Sequence, residues 1–175
     1  MTDLRYPIGK YQPAAEVNAA YIEESIADIE AMPALLRQAL DGLTSAQLDT
    51  PYRPEGWTVR QLVHHIGDSH LNSVIRFKWT LTEATPTIKA YNQNEWATTS
   101  DVLATPVDVN LDFLETLHVK WVLLLKSMEG NDWQKAFVHP ETGKKLTLGW
   151  LVGLYAWHGK HHVAHITGLR DREGW

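Results

Sequence analysis

Two histidines four residues apart, His158 and His162, stand in the run Trp157-His158-Gly159-Lys160-His161-His162-Val163-Ala164-His165, whose surroundings carry a helical pattern. At that spacing the side chains leave consecutive turns in the same direction, and two imidazoles so placed make half of a metal site. The other dense histidine cluster, Val63-His64-His65-Ile66-Gly67-Asp68-Ser69-His70, lies far upstream on a second helix-like segment and is the natural source of a third ligand. Seven of the nine histidines fall in these two clusters, so the chain reads as a three-histidine metalloprotein.

At about 100° per residue the last helix gathers Leu151, Leu154, Tyr155, His158, His162, His165, Ile166 and Leu169 on one stripe, with His158 and His162 near its centre. His161 lies at the edge of that stripe, which makes the rival pair His161/His165 the less favourable one. On the upstream helix the core stripe is Leu62, Ile66, Ser69 and Ser73, with His65 on its flank and His64 opposite, so His65 is the better third ligand. A lone inward histidine is more often a hydrogen-bonded core residue than a ligand. Burying two neighbouring imidazoles with neither a metal nor a carboxylate is costly, and the His158/His162 pair therefore favours an ion. His64, His70, His118 and His139 are read as surface or local structural residues. Asp68, one turn from His65, could orient an imidazole, and Arg76, Asn72 and Tyr155 could line a pocket. Trp57, Trp121, Trp150 and Trp157 are read as core or dimer-surface aromatics.

Three protein nitrogens leave a position of a divalent ion open, as catalytic zinc sites do. An open position can hold water, acidified to near neutrality for hydrolysis, or a substrate thiolate kept deprotonated for attack on an electrophile. The ligand set does not choose between them. No His-Glu-x-x-His motif supplies a general base, and no residue is assigned to that role.

Four helices must position these groups. The segment 1–13, with Pro7, Gly9 and Pro13, reads as an extended arm. Helix one is expected from Ala14 to about Ala31, with Pro33 kinking or splitting it before a continuation that ends at Gly42. A short turn starts at a Thr44 cap. Helix two is placed at about 57–83 behind a cap near Thr58, and helix three at about 109–128, with Leu111, Leu114, Leu117, Trp121, Leu124 and Leu125 at helical spacing. Between them runs a long crossover with one short helix near Glu95-Trp96, and connections of that length are usually functional. Residues 136–148 alternate around Pro140-Glu-Thr-Gly143 as a small hairpin. Helix four runs from a Thr147 cap to about Arg170. The pattern is an all-α, four-helix bundle with a crossover.

Composition narrows the class. At 175 residues with 44% hydrophobic content, the chain suits one substantial core, and a single domain over 1–175 is expected. A net charge of −5 with scattered Lys and Arg leaves no footprint for nucleic acid or an anionic membrane. No apolar run approaches the ~20 residues that span a bilayer and no secretory signal is evident, so a cytoplasmic protein is expected. There is no cysteine, so any metal must be held by histidine and carboxylate.

Several spaced motifs then resemble the DinB/YfiT-like metalloenzymes, most closely the YfiT branch of metal-dependent hydrolases. They are Tyr6-Pro-Ile-Gly9-Lys-Tyr11, Asp49-Thr-Pro-Tyr-Arg53, Gly56-Trp57-Thr-Val-Arg60, His64-His65-Ile-Gly-Asp68-Ser-His70, Arg76-Phe77, His139-Pro140, Gly153-Leu-Tyr155-Ala-Trp157-His158 and His161-His162-Val-Ala-His165. The resemblance implies an up-down-down-up bundle, a homodimer, and one Zn²⁺ or Ni²⁺ per subunit held by His65, His158 and His162. It implies a metal-dependent hydrolase acting on a small molecule. The wider superfamily also contains S-transferases that add a low-molecular-weight thiol such as bacillithiol to electrophiles, and a non-catalytic metal-binding or small-molecule-binding bundle is the third possibility.

Overall fold

The structure is a computed structural model and describes residues 3–175, so Met1 and Thr2 of the expected arm lie outside it. Four long helices carry the fold: α1 (Ala19–Leu40), α3 (Val59–Thr82), α6 (Val107–Lys126) and α7 (Leu148–Glu173). Short helices α2 (Ser45–Leu48), α4 (Gln93–Trp96) and α5 (Ser100–Ala104) occupy the connections, and strands β1 (Ala136–Val138) and β2 (Lys145–Thr147) form the hairpin. α1 and α3 each pack on both α6 and α7, so α1/α3 and α6/α7 are the diagonals of a four-helix bundle.

Each long helix begins where a side chain can satisfy free amides, or at a proline. Thr58 and Gln61 form a reciprocal capping box at the start of α3, and Thr147 accepts from the Trp150 N–H at the start of α7. Asn18 caps α1 through the Tyr21 N–H, 3.0 Å away. This cap corrects the expected start at Ala14, because a side chain that accepts an amide proton defines the first turn better than alanine does. Pro33 neither splits nor ends α1, which runs unbroken to Leu40. The crossover also holds a second short helix, α5, beyond the one expected at Glu95-Trp96.

Apolar packing falls into two clusters, one at each end of the bundle. Ile22, Ile26, Ile29, Phe77, Trp121, Leu125, Leu151 and Val152 belong to the first. Met32, Leu36, Leu62, Ile66, Leu111, Leu114, Ile166 and Leu169 belong to the second. The helix positions between them are polar: His65, Ser69, His70 and Ser73 on α3, His118 on α6, and His158 and His162 on α7. The histidines therefore form a layer across the middle of the bundle. Close approach of α1 to α7 beside this layer depends on Gly159, where a Cβ would stand 2.5 Å from Met32 Cγ.

The hairpin pins the crossover. Val138 donates to the Pro86 carbonyl and accepts from Ile88 N–H, so the crossover leaves β1 in a fixed direction and carries Tyr91 to Asn94 over the edge of α7. The arm is not a plain strand: Tyr6 and Gly9 close two tight turns, and Tyr6 reaches back to His161 with ring centroids 6.1 Å apart. Among the described residues, no helix is long and apolar enough to cross a membrane.

Candidate metal centre

His158 and His162 lie one turn apart on α7, and their Nε2 atoms are 3.1 Å from each other. His65 of α3 faces both, with ring centroids 5.5 and 5.2 Å away. One ring nitrogen from each of the three falls within 4.8 Å of the others. The three residues picked from helical spacing are thus brought together, on two helices in contact.

The donor set suits a divalent ion. Four-coordinate zinc with Zn–N bonds of about 2.0–2.1 Å sets its ligand nitrogens roughly 3.3–3.4 Å apart, close to the 3.1 Å between the His158 and His162 Nε2 atoms. Burial pushes the His65 imidazole down to about 4 and those of His158 and His162 well below their ordinary value, so all three offer neutral lone pairs at pH 7. The bare rings have few other means of satisfying one another, since two Nε2 lone pairs at this distance repel unless a proton or a cation lies between them.

A second triad shares one member. His161, His162 and His165 also bring ring nitrogens within 4.8 Å. His161 is stacked on Trp157, with centroids 4.4 Å apart and planes 19° from parallel, and His165 rests on Tyr52 at 4.3 Å. These rings are held by aromatic faces, whereas His65, His158 and His162 converge from two helices.

Two cavities meet at His158. One, of about 380 Å³, is walled by His65, Trp57, Trp157, Arg53, Tyr6 and the α7 histidines. The other, of about 600 Å³, is walled by Arg76, Tyr91, Asn92, Tyr155, His139 and Ser69. Gln93 and Asn94 border both. Arg76 and Tyr155 thus take the pocket positions anticipated for them, whereas Asn72 donates to the Asp68 carbonyl. Trp57 and Trp157 are walls of the site as well as packing residues, the former 4.7 Å from His65.

The largest departure from the sequence reading concerns His70 and His118, taken there for surface or local structural residues. They are 0% and 2% exposed and sit in the histidine layer. His70 Nε2 lies 3.1 Å from His158 Nδ1, His70 Nδ1 lies 2.8 Å from His118 Nε2, and His118 Nδ1 lies 2.7 Å from the Ile29 carbonyl. His70 is the hydrogen-bond partner of His158, and burial raises the half-buried Asp68 carboxyl to about 6. His64 is also buried, 3.2 Å from the Thr105 carbonyl. A signal for the missed pair existed: His118 continues the spacing Leu111, Leu114, His118, Trp121, Leu125, and His70 lies four residues after Ile66 and seven before Phe77.

Comparison with known proteins gives a consistent picture. The DinB superfamily pattern matches residues 28–166. Proteins of Bacillus cereus strain 03BB102 and Bacillus mycoides strain KBAB4, both named "Putative metal-dependent hydrolase", are 53% and 51% identical over the full length of both chains. A solved structure, YfiT from Bacillus subtilis, superposes with a TM-score of 0.96 at 44% identity over 99% of each chain. It is described as a probable metal-dependent hydrolase with an unusual four-helix bundle topology.

Proposed function

The chain belongs to the DinB superfamily, and from that premise we propose that it is a metal-dependent hydrolase whose divalent ion, Zn²⁺ or Ni²⁺, is held by His65, His158 and His162. The observation that carries this reading is the convergence of three histidine nitrogens on the wall of one cavity, with His158 bordering a second. Three protein donors leave room for water and substrate, and an ion there supplies Lewis acidity and brings a water's pKa near neutrality.

The protein's own groups do the rest. Trp57 and Trp157 shield one side of the site from bulk water, and Gln93 and Asn94 offer amide donors and acceptors between the cavities. Arg76 borders the larger cavity with one terminal nitrogen on the Lys89 carbonyl, 3.4 Å away, and a buried, unpartnered Nε, so its guanidinium keeps donors for a carboxylate or phosphate of the substrate. Tyr155 is engaged with Ser69, its hydroxyl 3.1 Å from the Ser69 carbonyl, and acts as a fixed wall.

One observation favours a second reading. Two cavities flanking the same histidine can seat two reactants, as metal-assisted transfer of a low-molecular-weight thiol onto an electrophile requires. A homodimer is part of the proposal: Val109, Phe113, Val119 and Leu123 of α6 are 40–66% exposed along one arc of the helix and suit burial against a second copy.

Elemental analysis of tag-free protein tests the site, with about one ion per chain expected. Cobalt substitution followed by a panel of small thiols tests the chemistry. A new sulfur-to-metal charge-transfer band supports thiol transfer, and an unchanged spectrum supports hydrolysis.

A further inference from the structure

We propose that His70 and His118 are positioning residues: a buried chain of imidazoles, anchored on the Ile29 carbonyl, holds His158 in the one tautomer whose Nε2 can accept an ion. The inference rests on the three-histidine ligand reading above.

The direction of the chain follows from its far end. Pro33 has no amide hydrogen, so the carbonyl four residues before it, that of Ile29, lacks its helical partner. His118 Nδ1 stands 2.7 Å from that oxygen. A carbonyl only accepts, so the His118 proton is on Nδ1. Packed against Trp121 and buried, the ring is neutral, which leaves a lone pair on Nε2.

Each following step is forced. His118 Nε2 can only accept from His70 Nδ1, 2.8 Å away, so the His70 proton is also on Nδ1. Fully buried between His118, Trp121 and Tyr155, His70 is neutral too and presents a lone pair at Nε2. His158 Nδ1, 3.1 Å away, therefore donates, and its only remaining lone pair is on the Nε2 that faces His162. Turning the buried His70 or His118 ring to the other tautomer breaks the hydrogen bonds on both sides of it inside the bundle.

The arrangement departs from the common one, in which a metal-ligating histidine donates to a carboxylate, a backbone carbonyl or water. Here the partner is a neutral ring, and the backbone carbonyl lies two rings further on. His158 is oriented without an added negative charge, so an ion held at its Nε2 would keep more of its positive charge than one on a carboxylate-backed ligand. Because the chain stops at a carbonyl, it is a positioning device and not a proton exit. All four long helices meet in it: Ile29 from α1, His70 from α3, His118 from α6 and His158 from α7.

The test is long-range ¹H–¹⁵N correlation of histidine rings in the full chain, metal-free and zinc-loaded. The expected result is a proton on Nδ1 of His70, His118 and His158 in both states. A proton on Nε2 of any of the three in the metal-free protein overturns the inference. His70→Phe keeps an aromatic ring at this position and removes the link. In it His158 becomes a mixture of tautomers and zinc affinity falls 10- to 100-fold. Retention of a single Nδ1–H tautomer at His158 in that variant contradicts the proposal, and if the variant does not fold, the spectrum of the parent decides. The metal-free spectrum needs no ion, so failure to bind zinc would sink the ligand reading while leaving the tautomer result standing.

Discussion

His158 and His162 hold their Nε2 atoms 3.1 Å apart from successive turns of α7. At that separation one neutral ring can donate its N–H to the other, whereas a cation would engage both nitrogens at once. The pair therefore marks where an ion would contribute most to both binding and stability.

Removing one arm of the triad tests this directly. His162→Ala is expected to lower zinc affinity at least 100-fold in a competition titration with a chelating dye. His161→Phe, which preserves the stack on Trp157, is expected to bind as the parent does. The reverse pattern, with His161→Phe losing the ion and His65→Ala retaining it, would assign the site to His161, His162 and His165.

Acid should unfold the metal-free protein early. The folded pKa values of His65 and His118 are depressed to about 4 by burial, against about 6.5 in the unfolded chain. The unfolded state thus binds more protons in that window. The stabilisation is full above about 6.5 and is lost as the pH falls toward 4. Urea midpoints of the metal-free protein at half-unit pH steps should be flat above 7 and fall steeply below 6.5. A flat profile down to pH 5 would contradict the buried, neutral state of these rings.

Gly159→Ala should destabilise the bundle by about 1–3 kcal/mol, because the added methyl meets Met32 Cγ at a close α1–α7 approach and Met32 is itself only 2% exposed. Thermal unfolding of the two proteins would measure it. In a Met32→Ala background the same glycine substitution should cost less than in the parent, and an undiminished cost would place the clash elsewhere.

Leu123→Lys puts a charge into the exposed arc of α6. Sedimentation velocity should show a dimer for the parent and a monomer for the variant, with zinc content unchanged. A monomeric parent would remove the homodimer from the proposal.

The convergence of His158, His162 and His65 was legible because helical spacing fixes side-chain direction, and these three residues follow it. The long helices and the hairpin were legible for the same reason, together with the Thr58 and Thr147 caps. His70 and His118 sit on equally good core positions but are polar by residue type. Their burial makes sense only once the partners are known, and those partners lie 48 and 89 positions away in the sequence. Pro33 misled for a related cause. A proline signals a lost hydrogen bond, but the sequence does not say that a ring from another helix will take the vacated carbonyl. The five-residue α5 has too few periodic positions to be seen against the polar crossover.

The layer of histidines between the two apolar clusters also gives the bundle a waist. Above and below it the helices are clasped by dispersion and water exclusion; at the waist they are joined by directional contacts between rings. Without an ion the waist is held by ring-to-ring hydrogen bonds alone, and amide exchange should then resolve two separately opening units. With an ion bridging α3 and α7 at the same level, the waist becomes a rivet. The two units should then merge into one cooperative block, which makes metal loading a mechanical state of the whole molecule as well as a chemical one.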